Sequence, residues 1–312
     1  MKLQLKNITF PASKTALGEL PEGKLLINTI NAHSYNVAQE DAEFAEALLR
    51  SGVLIPDGAG VVWAKKWLGR KKDNGQQITG DRKYRITETK NQERIAGWDL
   101  FEWEMGRLQT IDDRRRTTEN VETAYLPSDV ETRHATSVRA ENATSVFFLG
   151  SSEAVLAKIK EKAAVDYPNL EIHSYSPPYK PEFTAEDNRA MIEAVNAVVP
   201  DLLWIGMTAP KQEKWAYKHY EQLNVRGHIG TIGAVFDFYA GTVERAPLWW
   251  QDHSLEWLYR LISEPKRMWR RYLVGNVKFL GCAKRQSRAV WAIVGEKIMI
   301  NGPAEAGCRN TP

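Results

Sequence analysis

The chain reads as an α/β protein, a parallel β-sheet with flanking helices followed by a basic helical appendage. Three observations predict this. Short apolar runs alternate with helical periodicities in a βαβα rhythm, the sequence sign of a parallel sheet covered by helices. The 312 residues, 43% hydrophobic and 26% charged, suffice for one large core plus an appendage. After Ala246-Pro247 the character changes and the chain becomes rich in Trp, Lys and Arg.

In chain order, apolar runs predict strands at 24–28, 53–55, 145–149, 170–174, 202–206 and 228–232. Between them 41–50, 153–166, 185–198 and 211–223 carry helical periodicity, and 61–68 repeats it after the second strand. Two stretches, 71–96 and 112–144, are polar and charge-rich and read as flexible insertions, with too few large apolar residues to bury a face. The expected division is a catalytic-sized unit over 1–246, the appendage over 247–300 and a disordered tail over 301–312.

A net charge of +3 on this length selects no partner, but its distribution is uneven. From Arg260 to Arg288 nine Lys and Arg stand against one acid, Glu264. The two cysteines, Cys282 and Cys308, argue against a disulfide framework or a structural metal. The N-terminus lacks the zones of a signal peptide, and no stretch approaches the ~20 apolar residues of a spanning helix. These features predict a cytoplasmic protein able to lie on the inner face of the plasma membrane.

Chemistry is expected where strands hand over to helices, since ligands of doubly wound sheets gather at carboxyl ends of strands. Pro56-Asp57-Gly58-Ala59-Gly60 is one such junction; Asp57 there is either a ligand-facing carboxylate or a turn residue capping the next helix. A dinucleotide fingerprint fails because Trp63 stands where its third glycine belongs. Thr29 and Asn31 end the first strand and suit either a ligand or a helix cap. At the fifth strand, Pro210 suits a helix start and places Lys211 and Gln212 beside its positive end. Asp237 lies in an apolar stretch and needs a partner, such as Arg245, or a ligand. In the appendage Arg260, Arg267 and Arg270 fall within roughly 80° of one another if a second helix starts at Pro265 without a large bend, a stripe suited to a diphosphate or to anionic lipid headgroups. Asp-x-Asp, the metal-holding pair of many sugar-nucleotide enzymes, is absent, so Arg or Lys would have to stabilise a leaving diphosphate.

Taken in order, Thr29-Ile30-Asn31, Pro56-Asp57-Gly58-Ala59-Gly60, Gly97-Trp98-Asp99-Leu100, Phe148-Leu149-Gly150, Pro210-Lys211-Gln212-Glu213, Gly233 to Asp237, Arg245-Ala246-Pro247 and Leu255-Glu256-Trp257-Leu258-Tyr259-Arg260 with Glu264-Pro265 and Arg267 resemble the WecG/TagA/CpsF glycosyltransferases, glycosyltransferase family 26. The resemblance implies a Rossmann-like α/β fold of GT-E type and an inverting, metal-independent reaction with no cofactor. It implies a UDP-sugar donor carrying N-acetylmannosamine, its uronate or a hexose, and an undecaprenyl diphosphate-linked sugar as acceptor. Carried over by position, Asp57 becomes the general base, Thr29, Asn31 and Gln212 sugar-site residues, and Asp237, Arg260, Arg267 and Arg270 the nucleotide and diphosphate site. The chain departs from the pattern in its two insertions and in Ser176-Pro177-Pro178-Tyr179, where the family has Gly-Tyr-Phe. The further expected partner is an anionic membrane surface rather than nucleic acid, and a homo-oligomer stays open. A non-catalytic membrane or nucleic-acid binding module and an NAD-dependent oxidoreductase are the competing classes.

Overall fold

The computed structural model describes residues 3–5, 8–69, 93–123, 144–253 and 255–285, with side chains except at 69, 115–123 and 267. Its centre is a sheet of strands β1 (Leu25–Ile30), β2 (Val53–Pro56), β3 (Ser145–Gly150), β4 (Glu171–Tyr175), β5 (Leu202–Gly206) and β6 (His228–Thr231). Their order is β2-β1-β6-β5-β3-β4, and every pairing is parallel. Each expected strand is therefore present, within two residues of its expected ends. A parallel sheet is covered on both faces, so its inner strands read as unbroken apolar runs. β3 and β5 are buried at every position, whereas the edge strand β4 carries Glu171, His173 and Ser174.

Alternation along the strands sorts the core into two faces. Val146, Phe148, Leu202 and Trp204 pack with Phe101, Phe236 and Tyr239 on one side. Phe147, Leu149, Leu203 and Ile205 pack with Met191 and Trp215 on the other. β6 passes so close to Trp204 that a Cβ at Gly230 would lie 2.2 Å from its ring.

The helices of the body are α1 (Ala32–Ala38), α2 (Ala42–Leu49), α3 (Ala59–Gly69), α4 (Gly97–Thr123), α5 (Glu153–Asp166), α6 (Ala185–Val198), α7 (Lys211–His219) and α8 (Val235–Tyr239). Side-chain caps start several of them, as Asp41 does for α2, Ser152 for α5 and Thr184 for α6. The expectation that 112–144 lacks helix is corrected for 112–123, which continue α4. Leu100, Phe101, Met105 and Leu108 anchor the first turns, and a following polar segment free of Gly and Pro extends the helix. Of the first expected insertion, residues 93–96 are tied to the body through Glu93 N–H to Ala12 O at 2.8 Å and a buried Ile95. The rest of both insertions, at 71–92 and 124–143, and the tail at 301–312 lie outside the described residues.

After Pro247 come α9 (Leu248–Asp252), α10 (Glu256–Ser263) and α11 (Pro265–Trp269); α11 runs through a π-helical turn, Arg270–Val274, into helix over 275–285. This segment lies back on the body. Phe279 is 1% exposed and meets Tyr35 of α1 edge-on at 5.2 Å. Asn36 Nδ2 donates to Gly275 O at 2.7 Å, and Lys278 pairs with Glu40. Among the described residues no helix is long and apolar enough to cross a membrane.

Candidate active site

The carboxyl ends of all six strands face one edge of the sheet, and several of the candidate residues lie there. Asp57 follows the last residue of β2; its N–H donates to Ile30 O at 2.9 Å, which ties it to the end of β1. The next residue, Gly58, has φ +115, a conformation open to glycine, and its ideal Cβ position lies 3.6 Å from Asn31 Cβ. This turn leaves Asp57 half-buried in front of the appendage. Burial pushes its carboxyl above the usual aspartate range; Arg94, Arg260 and Arg271 pull it down and Glu256 pushes it further up.

Those four groups come from three separated segments. Arg94 precedes α4, Glu256 and Arg260 stand on α10, and Arg271 lies in the π-helical turn. Glu256 Oε2 accepts from Arg94 Nη1 at 3.1 Å, and Glu256 Oε1 lies 3.5 Å from Arg260 Nη2 and 3.8 Å from Arg245 Nε. Aromatic faces hold two of the guanidinium groups, Arg245 at 5.2 Å over Trp98 and Arg260 at 4.8 Å over Phe238. Counting Arg94, Arg245, Arg260 and Arg271 against ionised Asp57 and Glu256, four positive charges minus two negative leave an excess of two. Arg271 Nε is buried without a hydrogen-bond partner among the described residues. A buried donor left open beside excess positive charge suits an anion.

The other expected residues divide. Thr29 is half-buried near the end of β1, opposite Ile55 of β2. Asn31 takes the capping role: its Oδ1 accepts from the N–H groups of His33 and Ser34 and from Ser34 Oγ, each at 3.0 Å. Gln212 is buried at the start of α7, where its Oε1 accepts from Met207 N–H at 3.1 Å and its Nε2 donates to Glu213 Oε1 at 2.9 Å. It also borders Gly233, whose ideal Cβ position lies 3.4 Å from Gln212 Oε1. Asp237, on α8, accepts from Thr242 through its backbone oxygen and Oδ1, while Arg245 pairs with Glu256.

The arginine stripe is rearranged. Arg260 and Arg271 face Asp57, whereas Arg270 is exposed with its guanidinium 5.2 Å over Trp269. The stripe presumed that a second helix starting at Pro265 continues the first without a large bend, whereas Glu264, at φ −132 and ψ 61, breaks the phase between α10 and α11, and the π-helical turn shifts it again. The Arg267 side chain lies outside the described residues. Sequence reasoning missed Arg94, Glu256 and Arg271 as site residues. Arg94 was hidden in a charge-rich stretch, and its signal was adjacency to the Gly97-Trp98-Asp99 block.

Behind the site, Glu213 is 2% exposed and its Oε2 has no hydrogen-bond partner among the described residues, so burial pushes its carboxyl up to about 7. An acid whose folded pKa is raised binds more protons when folded, so it destabilises the fold progressively as pH rises from its ordinary range to about 7. Replacing Glu213 by Gln is expected to raise the melting temperature at pH 8 and leave it nearly unchanged at pH 4; equal shifts at both pH values would contradict this.

Among the described residues no group of three or more His, Cys, Asp or Glu is placed to hold a metal ion. The family model described as "Glycosyl transferase WecG/TagA/CpsF family" matches residues 1–80 and 126–291, so Arg94 and the whole of α4 lie outside the match. Two similar proteins carry the name N-acetylglucosaminyldiphosphoundecaprenol N-acetyl-beta-D-mannosaminyltransferase. One, from Bacillus spizizenii, is 28% identical over 236 residues, 76% of this chain and 70% of the relative. The other, from Bacillus subtilis, is 26% identical over 248 residues, 80% of this chain and 75% of the relative.

Proposed function

This chain belongs to the WecG/TagA/CpsF glycosyltransferase family, and from that membership we propose that it moves a sugar from a UDP-sugar to an undecaprenyl diphosphate-linked sugar, with inversion and without a metal. The sugar is N-acetylmannosamine, its uronate or a hexose. As a glycosyltransferase it leaves the oxidoreductase and binding-module classes behind. The observation that carries the reading is the half-buried Asp57 at the end of β2, facing Arg94, Arg260 and Arg271. Asp57 takes the proton of an acceptor hydroxyl while that oxygen bonds to the anomeric carbon. The bond from that carbon to the diphosphate breaks, and UDP leaves with its electron pair. The arginines receive the growing negative charge, the role a metal ion plays in other sugar-nucleotide enzymes. Thr29 and Gln212 border the space for the sugars.

The decisive experiment follows UDP release with a panel of UDP-sugars and a lipid-linked N-acetylglucosamine acceptor. Release that requires both substrates and persists in excess EDTA is expected. Loss of activity in EDTA, restored by Mg²⁺ or Mn²⁺, would overturn the metal-free part, and no release with any pair would overturn the substrate assignment.

We also place the enzyme on the inner face of the plasma membrane. Support comes from exposed Trp249, Trp269, Leu273, Val277 and Leu280 and from exposed Lys278, Lys284 and Arg285, all on the appendage. Removing the charges of Lys284 and Arg285 is expected to weaken binding to anionic vesicles roughly tenfold or more, with little change on neutral ones. Equal binding to anionic vesicles before and after the change would argue against this face.

A further inference from the structure

At the rim of the site three guanidinium groups meet on one carboxylate. Glu256 binds Arg94 at 3.1 Å through Oε2 and faces Arg260 at 3.5 Å and Arg245 at 3.8 Å through Oε1. All four side chains are largely buried, the arginines 19% to 28% exposed and Glu256 15%. The partners come from three places in the sequence, one before α4, one between α8 and α9 and one on α10 itself. A single partner would suffice to keep a half-buried carboxylate in place. Three leave it overmatched in charge, and without it three like charges would repel at short range.

We infer that Glu256 is a positioning residue, an internal counter-ion that holds Arg94, Arg245 and Arg260 aimed at the place where the donor diphosphate is received and yields part of their hydrogen bonding when it arrives. The inference rests on the proposed donor and on Asp57 as base. Glu256 has two opposed effects. Its charge competes with the incoming anion and weakens ground-state binding of a nucleoside diphosphate. Its geometry keeps the guanidinium forks in the orientation that the departing diphosphate needs, which favours the transition state. It also belongs to the set of charges that face Asp57, namely Arg94 before α4, Glu256 and Arg260 on α10, and Arg271 in the π-helical turn. Within that set Glu256 alone raises the basicity of Asp57.

The test replaces Glu256 by Gln, which keeps the shape and removes the charge, and uses UDP as the probe. Calorimetric titration is expected to show UDP bound several-fold more tightly, while kcat falls about tenfold or more. The acid limb of the kcat/KM profile is expected to move to lower pH, because Asp57 loses a like-charged neighbour. Glu256→Asp, which restores the charge on a shorter arm, is expected to return both the UDP affinity and the acid limb toward their original values. A residue that merely holds the fold would weaken UDP binding and turnover together. The position of the pH limb does not depend on how much protein is folded, so a less stable variant still gives an answer. UDP binding no tighter than in the unaltered protein, or an unmoved acid limb, would overturn the inference. Full turnover by Asp57→Asn would instead defeat the base assignment, and the UDP titration would still decide the role of Glu256.

Discussion

Replacing Asp57 by Asn is expected to lower turnover by at least ~10²-fold while leaving the fold and UDP binding in place. The amide keeps the shape of the side chain, and the backbone bond from residue 57 to Ile30 O does not involve it. Losing the carboxylate charge raises the local excess of positive charge, so UDP should bind at least as tightly as before. The pH profile gives a second signature. A general base acts when deprotonated, so the rate rises with pH through its folded pKa, which burial holds above the usual aspartate range. The acid limb of kcat/KM should therefore lie above that of an ordinary aspartate and should vanish in the variant. A bound diphosphate cancels part of the field of Arg94, Arg260 and Arg271, the groups that pull Asp57 down. The limb in kcat, which reports the complex, should then lie higher than the limb in kcat/KM. Near-normal turnover by the variant, or an unchanged limb, would remove Asp57 from this role.

The place of Asp57 was legible in the sequence because its signal is local, whereas the role of base came only from the family resemblance. A buried parallel strand writes itself as an apolar run, and a Pro-Asp-Gly turn between such a run and a helical pattern is expected at the carboxyl edge of a parallel sheet. The six strands were legible for the same reason. Arg94, Glu256 and Arg271 were not, since their meaning comes from three segments that converge only after folding. The choice between Arg270 and Arg271 turned on one non-helical residue, Glu264, and on a π-helical turn, and neither leaves a trace in hydrophobic periodicity. The polar end of α4 escaped because it needs no apolar face once its first turns are anchored by Phe101 and Met105. For Asn31 the sequence left capping and ligand binding open, and the hydrogen bonds to His33 and Ser34 place it in the cap.

Ending the chain after Ala246 is expected to abolish transfer and to destabilise the remaining body, because the appendage supplies both chemistry and core. Glu256, Arg260 and Arg271 are lost at once, leaving Asp57 without most of the charges that face it. Phe279 and Ala283 are lost as well, and they share one buried cluster with Leu3, Leu5, Tyr35, Leu54 and Val61 of the body. Removing them uncovers those side chains to water, so the shortened chain should expose apolar surface and melt at a lower temperature. A point change separates the two contributions. Phe279→Ala in the full chain keeps every charged residue but removes the ring that sits against Tyr35, at an expected cost of about 3–5 kcal/mol. Its turnover, measured well below its melting temperature, should fall less than that of the shortened chain, since Glu256 and Arg260 on α10 remain where Arg94 and Arg245 hold them. A shortened chain that turns over an acceptor analogue lacking the lipid as fast as the full chain would show that the arginines of the appendage take no part in the reaction.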